Sequence, residues 1–137
     1  MLGKRKVRKY VFELLCGYEC NTDIDALEYF NISFDNFLCE DDENDTVRTI
    51  FTGVLRNLEK IDGIITSHAN NWQITRLSTV TRSILRLSVY EMLELKLPPA
   101  ISINEAVEIS KLYAEDKAPS FINGILNAIS KDLNKDE

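Results

Sequence analysis

The 137-residue chain is predicted to be all-α, a single-domain helical bundle of about seven helices over residues 1–137. Apolar residues recur at steps of three and four along most of the chain, which is the period of one helix face, and no long stretch alternates as a strand does. Only three Pro and five Gly interrupt the chain, and an apolar content of 45% is enough to bury a core without disulfides or a structural metal. Short connections predict that neighbouring helices are roughly antiparallel.

The first predicted helix carries a basic cluster at its start. Five of the sixteen basic residues lie within six positions, namely Lys4, Arg5, Lys6, Arg8 and Lys9. The apolar residues that follow have helical spacing, which places the cluster on the first turns of a docked helix. Two interpretations stay open: a solvated, frayed amino terminus, or a fixed cationic ridge that binds phosphate with little loss of ordering entropy.

The segment after this helix has a weaker pattern. Residues 23–39 predict one or two brief helices, and the acidic run at 40–45 predicts a solvated loop. From Asp45 to Ser67 the apolar residues line one side of a helix, with charged residues on the opposite side. This is the clearest amphipathic helix in the sequence.

The second half of the chain begins with a strongly apolar segment. Residues 79–96 are apolar over more than half of the helix circumference, which predicts a central helix. Pro98 and Pro99 end this helix because proline cannot continue it. Ser102 and Glu105 then match a capping box, which predicts the start of the next helix.

The last predicted helix, which follows Pro119, contains the hexapeptide FINGIL at 121–126. Asn-Gly between apolar residues is a strong hairpin signal, but the flanking apolar residues recur at helical steps and favour a helix. A mid-helix glycine costs about 1 kcal/mol relative to alanine, so Gly124 indicates close approach of another backbone or of a ligand, with a tight helix crossing favoured. For Asn123, a buried amide bonded to neighbouring backbone is favoured over a ligand-binding side chain.

Composition and motifs predict a binding protein rather than an enzyme. No phosphate-binding loop, dinucleotide-binding glycine motif or nucleophile elbow occurs in the sequence. Cys16, Cys20 and Cys39 fit reduced thiols better than a disulfide framework, and together with His68 they lack the spacing of a zinc site. Apolar runs never exceed three residues, which predicts no membrane span. We therefore expect no metal, no cofactor and a cytoplasmic location.

Three stretches of the sequence match a known pattern: KRKVRKYVFELL at 4–15, TRSILRLSVYEML at 81–93 and ISINEAVEISKLYAEDKAPSFINGIL at 101–126. Together they resemble the NusB family of bacterial transcription antitermination factors. The family's carboxyl-terminal signature runs Ile-Asn-Glu-Ala, then an acidic pair, then Phe-Val-Asn-Gly-Val-Leu, and it is matched between Ile103 and Leu126. The resemblance is strong in the second half of the chain, moderate in the first helix and nearly absent at 18–45.

The resemblance implies an all-helical RNA-binding scaffold. Such a protein joins a small-subunit ribosomal protein acting as NusE and holds a boxA sequence of nascent RNA beside RNA polymerase, in ribosomal RNA transcription. In the family, basic residues of the first helix bind phosphate, and Lys4, Arg5, Lys6 and Arg8 occupy the matching positions here. Lys9 stands where the family usually has an acidic residue, and this exchange should strengthen attraction to RNA. Asp116 and Phe121 match the family's RNA surface. A ring at Phe121 could stack on a base, although periodicity alone fits a core residue equally well.

Two positions depart from the family where the resemblance implies contact with the ribosomal protein. Cys16 stands where tyrosine is frequent, and Thr81 stands where an acid is usual; we expect the docking face around these residues and Glu91. The alternative interpretation is a helical protein-interaction or homodimerisation module with weak RNA binding. Similar domains occur fused to ribosomal RNA methyltransferases, but only four residues follow Leu133, so catalysis would need a separate polypeptide.

Overall fold

The computed structural model describes residues 4–34, 41–69 and 76–135, and within these ranges it contains helices and no strand. The helices are α1 (Lys4–Tyr18), α2 (Ala26–Phe34), α3 (Asp41–Arg56), α4 (Leu58–His68), α5 (Thr79–Leu93), α6 (Pro99–Tyr113) and α7 (Ala118–Lys135). The predicted all-α class and the helix number are therefore confirmed. The chain divides into two compact units, Met1–Arg56 and Asn57–Glu137, and the single domain over 1–137 stays a prediction. No helix of the described ranges is long and apolar enough to span a bilayer.

The unit Met1–Arg56 is built by α1, α2 and α3, with α1 packed on both of the others. Each long helix buries an apolar stripe at helical spacing: Val7, Val11, Leu14 and Leu15 on α1, and Val47, Phe51 and Val54 on α3. Aromatic rings link α2 to these helices, because Tyr29 lies 5.2 Å from the ring of Tyr18 and 6.4 Å from the ring of Phe51. This packing gives α1 a rigid position within its unit.

The last turn of α1 contains a glycine, Gly17, that contacts α2 closely. A Cβ on Gly17 would lie 2.1 Å from the Tyr29 hydroxyl oxygen, so only glycine lets this ring approach α1 so closely. Tyr18 donates its hydroxyl hydrogen to the Ile24 carbonyl at 2.8 Å, and Asn21 donates its side-chain amide to the Gly17 carbonyl at 2.8 Å. These bonds satisfy backbone carbonyls where the helix ends.

In the unit Asn57–Glu137 the central position of α5 is confirmed, because α4, α6 and α7 all pack against it. Small buried residues allow α5 and α6 to approach, and the hydroxyl oxygens of Ser88 and Ser102 lie 2.7 Å apart. On the α4 side, Arg86 donates two hydrogen bonds of 2.8 Å to the carboxylate of Asp62. A paired arginine and carboxylate of this geometry fixes both distance and orientation of the two helices.

Three predicted boundaries are wrong. The helix expected from Asp45 to Ser67 is broken at Asn57 into α3 and α4, and the acidic run from Asp41 onward begins α3 rather than forming a loop. Acidic side chains in a first turn are stabilised by the helix dipole, which favours this outcome. The helix α6 begins at Pro99, since proline fits a first helical position, and Ser102 is buried inside it instead of capping it.

The hexapeptide FINGIL lies inside α7, so a helix is confirmed and a hairpin is not formed. The tight helix crossing expected at Gly124 is not formed within the described residues. Gly124 is exposed, and a Cβ built on it meets no atom of those residues within 4 Å. Close approach of a ligand stays a prediction. Asn123 is exposed rather than buried, and its side-chain oxygen accepts a hydrogen bond from Asn127 at 3.2 Å.

Candidate nucleic-acid interface

The buried stripe of α1 leaves part of the basic cluster on the surface. Arg5 and Lys9 are exposed and stand one helical turn apart, and the side chain of Lys6 is 41% exposed. The side chain of Lys4 lies outside the described part of the structure. We call Arg5, Lys6 and Lys9 the basic ridge. Its cations project from a packed helix, which lowers the ordering entropy lost on binding a phosphate.

Arg8 differs from the other basic residues of α1 because it is only 6% exposed. Positions 8, 11, 12 and 15 share one helix face, and Val11, Phe12 and Leu15 are also buried. This spacing is a sequence signal that could have identified Arg8 as an inward-facing residue. A phosphate contact by Arg8 stays a prediction, and it would require the side chain to leave its buried position.

Lys6 lies beside the acidic residue Glu43, a contact that the sequence pattern does not predict. Its Nζ lies 4.0 Å from Glu43 Oε2 on α3, and the Glu43 side chain is 11% exposed. The same Nζ lies 6.0 Å from the ring centroid of Tyr10, at the outer range of a cation–π interaction. The structure therefore places one ridge cation beside a carboxylate and an aromatic ring of its own unit.

The other predicted RNA residues lie at the corner between α6 and α7, inside the unit Asn57–Glu137. Asp116 is exposed in the turn, and Phe121 is half-buried in the first turns of α7. The backbone closes tightly here, since the Ala118 N–H donates to the Glu115 carbonyl at 2.9 Å. Tyr113, 45% exposed, and the exposed Lys117 flank this corner, although the sequence pattern did not single them out.

The residues expected to bind a protein partner are mostly buried. Cys16 is a half-buried thiol on α1. Thr81 is 5% exposed, and its backbone N–H donates to the hydroxyl oxygen of Ser78, the N-cap of α5. Glu91 is also 5% exposed and accepts a hydrogen bond of 3.1 Å from Ser102. Partner contact by these residues stays a prediction, and Cys16 offers more side-chain surface than either of the others.

His68 is a titrating group between α4 and α7 in the second unit. Its Nδ1 lies 2.8 Å from the Ile64 carbonyl oxygen, and its Nε2 lies 2.5 Å from Asp132 Oδ2. The hydrogen bond to the Ile64 carbonyl raises the pKa of His68 above 6.5, and the Asp132 carboxylate raises it further, while partial burial opposes both. The protonated ring is favoured because it alone can donate from both nitrogens.

Comparison with known proteins places the chain in a family. The model of the NusB family matches residues 5–131. A Bacillus pumilus transcription antitermination protein NusB is 49% identical over 82 residues, which cover 59% of this chain and 63% of that protein, so the chain spans about three-fifths of this relative's length. The Campylobacter jejuni protein of the same name is 38% identical over 135 residues, covering 96% and 98% of the two chains.

A solved structure of antitermination factors NusB and NusE in complex with double-stranded RNA has a similar fold. Its TM-score is 0.82 at 32% sequence identity, over 96% of this chain and 99% of that one. The sequence match and the fold agree with the resemblance carried by the basic first helix and the carboxyl-terminal signature. The chain belongs to the NusB family.

Proposed function

We propose that this protein is a transcription antitermination factor that binds boxA-type single-stranded RNA together with a small-subunit ribosomal protein, NusE, during ribosomal RNA transcription. The observation that carries the proposal is the basic ridge, Arg5, Lys6 and Lys9, held on a packed helix in a chain of the NusB family. A similar NusB has been solved with NusE and double-stranded RNA, which supports NusE and RNA as classes of partner. The proposed role is a cytoplasmic, non-catalytic scaffold within an RNA polymerase antitermination complex.

The acidic net charge of the protein, −6, does not oppose this role. The Debye length is about 8 Å at physiological ionic strength, so a bound phosphate responds mainly to the charges around it. Near the ridge those charges are the three cations Arg5, Lys6 and Lys9 and the carboxylate of Glu43, 4.0 Å from Lys6 Nζ, so positive charge is in excess. Local cation density therefore governs attraction to RNA, and the distant carboxylates are screened.

The corner between α6 and α7 supplies groups suited to bases. Phe121 is half-buried, and stacking of one base on an aromatic ring contributes about 1–3 kcal/mol. The exposed Asp116 carboxylate can accept a hydrogen bond from a base amino group. We propose that these two residues bind bases while the ridge binds phosphates.

The proposal is tested by fluorescence anisotropy of a labelled boxA-like single-stranded RNA. The variant Arg5→Ala/Lys9→Ala removes two ridge cations, and Lys60→Ala/Lys111→Ala removes two cations from exposed positions of the other unit. Loss of affinity is expected for the first variant alone. If four phosphates are contacted, log K falls against log salt with a slope of about −2.8.

Two outcomes would contradict the proposal: equal loss in both double variants, or binding that does not respond to salt. Adding the small-subunit ribosomal protein should tighten the complex if the RNA surface is shared between the two proteins. A duplex of the same sequence, measured in parallel, separates single-strand recognition from binding to any RNA phosphate backbone.

A second candidate function is a homodimerisation module with weak RNA binding. The observation that favours it is exposed apolar surface in the second unit, where Leu112 is 76% exposed beside Tyr113 at 45%. This function predicts a mass that rises with concentration and falls in a Leu112→Ser variant. Analytical ultracentrifugation measures both effects.

A further inference from the structure

Lys6 is held between solvent and an acidic side chain of its own unit. Its side chain is 41% exposed, whereas that of Glu43 is 11% exposed, and Nζ lies 4.0 Å from Glu43 Oε2. The ring of Tyr10, one turn further along α1, has its centroid 6.0 Å from the same Nζ. The other two ridge cations, Arg5 and Lys9, are exposed.

The positive charge of Lys6 offsets the negative charge of the Glu43 carboxylate. Its Oε2 atom is buried and has no hydrogen-bond partner within the described ranges. A buried carboxylate oxygen without hydrogen bonds is unfavourable unless a cation lies near it. The Lys6 ammonium is in ion-pair range of that oxygen, so the two residues compensate each other in the RNA-free protein.

We propose that Glu43 competes with RNA phosphate for Lys6 and thereby lowers the affinity of the basic ridge. This inference rests on the proposed RNA-binding function. If a phosphate draws the Lys6 ammonium away from α3, the Glu43 carboxylate is left without its cation. If the phosphate instead binds Lys6 where it lies beside Glu43, the carboxylate repels the phosphate. In both geometries Glu43 opposes the anion, so Lys6 contributes less to binding than the exposed Lys9.

The test removes the carboxylate charge with an isosteric side chain, Glu43→Gln. We expect RNA affinity to rise about two- to fivefold at low salt, the range of an ion pair near the surface. The slope of log K against log salt should steepen by about 0.7, because one more phosphate is neutralised on a single strand. Lys6→Ala should lower affinity less than Lys9→Ala does in the wild-type background, and it should abolish the gain in the Glu43→Gln background.

The matched control is Asp45→Asn, which removes the same charge from the same helix. Asp45 is 68% exposed and pairs with Arg48, so its removal tests general charge reduction without touching Lys6. Anisotropy uses the labelled single-stranded RNA named above, and thermal unfolding of each variant verifies that the fold is intact. Affinity that is unchanged or lower in Glu43→Gln overturns the inference, as does an equal gain in Asp45→Asn.

The same measurements separate this inference from the function on which it rests. If Arg5→Ala/Lys9→Ala binds RNA as tightly as the wild type, the proposed function itself fails. If that variant loses affinity while Glu43→Gln shows no gain, RNA binding stands and competition by Glu43 is excluded.

Discussion

The His68 imidazole and the Asp132 carboxylate are in hydrogen-bond contact at 2.5 Å, and they join α4 to α7 across 64 positions of the sequence. The opposite ring nitrogen faces the Ile64 carbonyl oxygen at 2.8 Å. Both acceptors are satisfied at once when the ring carries two protons. This arrangement ties the end of one helix to the last turns of another through a titrating group.

The stability of the unit Asn57–Glu137 should therefore depend on pH through His68. Its folded pKa is raised above the ordinary value of 6.5, so the stabilisation is fully present below 6.5 and is lost as pH rises through the higher folded value. Urea unfolding across this window should show wild type and Asp132→Asn converging as pH increases. A stability difference between the two proteins that stays constant with pH would contradict the assignment to His68.

Gly17→Ala should destabilise the protein. Its Cβ would lie 2.1 Å from the Tyr29 hydroxyl oxygen, and overpacking of this kind costs about 1–3 kcal/mol. Gly63→Ala is the matched control, since a Cβ there meets no atom of the described residues within 4 Å and helix propensity improves. The double variant Gly17→Ala/Tyr29→Phe should recover much of the loss in urea unfolding, because the clashing oxygen is removed. If the double variant does not regain stability, the loss in Gly17→Ala does not come from the contact with the Tyr29 hydroxyl oxygen.

Gly124→Ala should stabilise α7. The residue is exposed within the helix and a Cβ there has open space, so alanine should add up to about 1 kcal/mol to the free energy of unfolding. Thermal or urea unfolding measures the gain. A loss of stability would show that the glycine has a packing role that the fold does not reveal.

Arg8→Ala and Lys9→Ala should differ although the residues are adjacent. Arg8 is 6% exposed, so its truncation removes buried packing and should lower the free energy of unfolding by roughly 1–3 kcal/mol. Lys9 is exposed, so its truncation should leave stability within about 0.5 kcal/mol and weaken RNA binding. Paired unfolding and anisotropy measurements check both effects. Equal stability losses in the two variants would contradict the burial pattern of α1.

Several features of the fold could be predicted because they depend on local spacing. The apolar period of α5 and α7, and the helical reading of FINGIL, follow from which side chains share a helix face. The basic cluster at 4–9 also follows from the sequence, although the burial of Arg8 within it does not. The break at Asn57 could not be predicted, because apolar residues continue at helical spacing on both sides of it.

The sequence by itself determined the helical class, the position of the cationic cluster and the family, since these depend on period and on residue identity along the chain. Only the tertiary structure decided which polar groups are accessible. Arg8, Thr81 and Glu91 are buried, Asn123 is exposed, and Glu43 lies beside Lys6. Accessibility and ion pairing depend on which helix faces pack together, and that choice is made by elements far apart in the sequence.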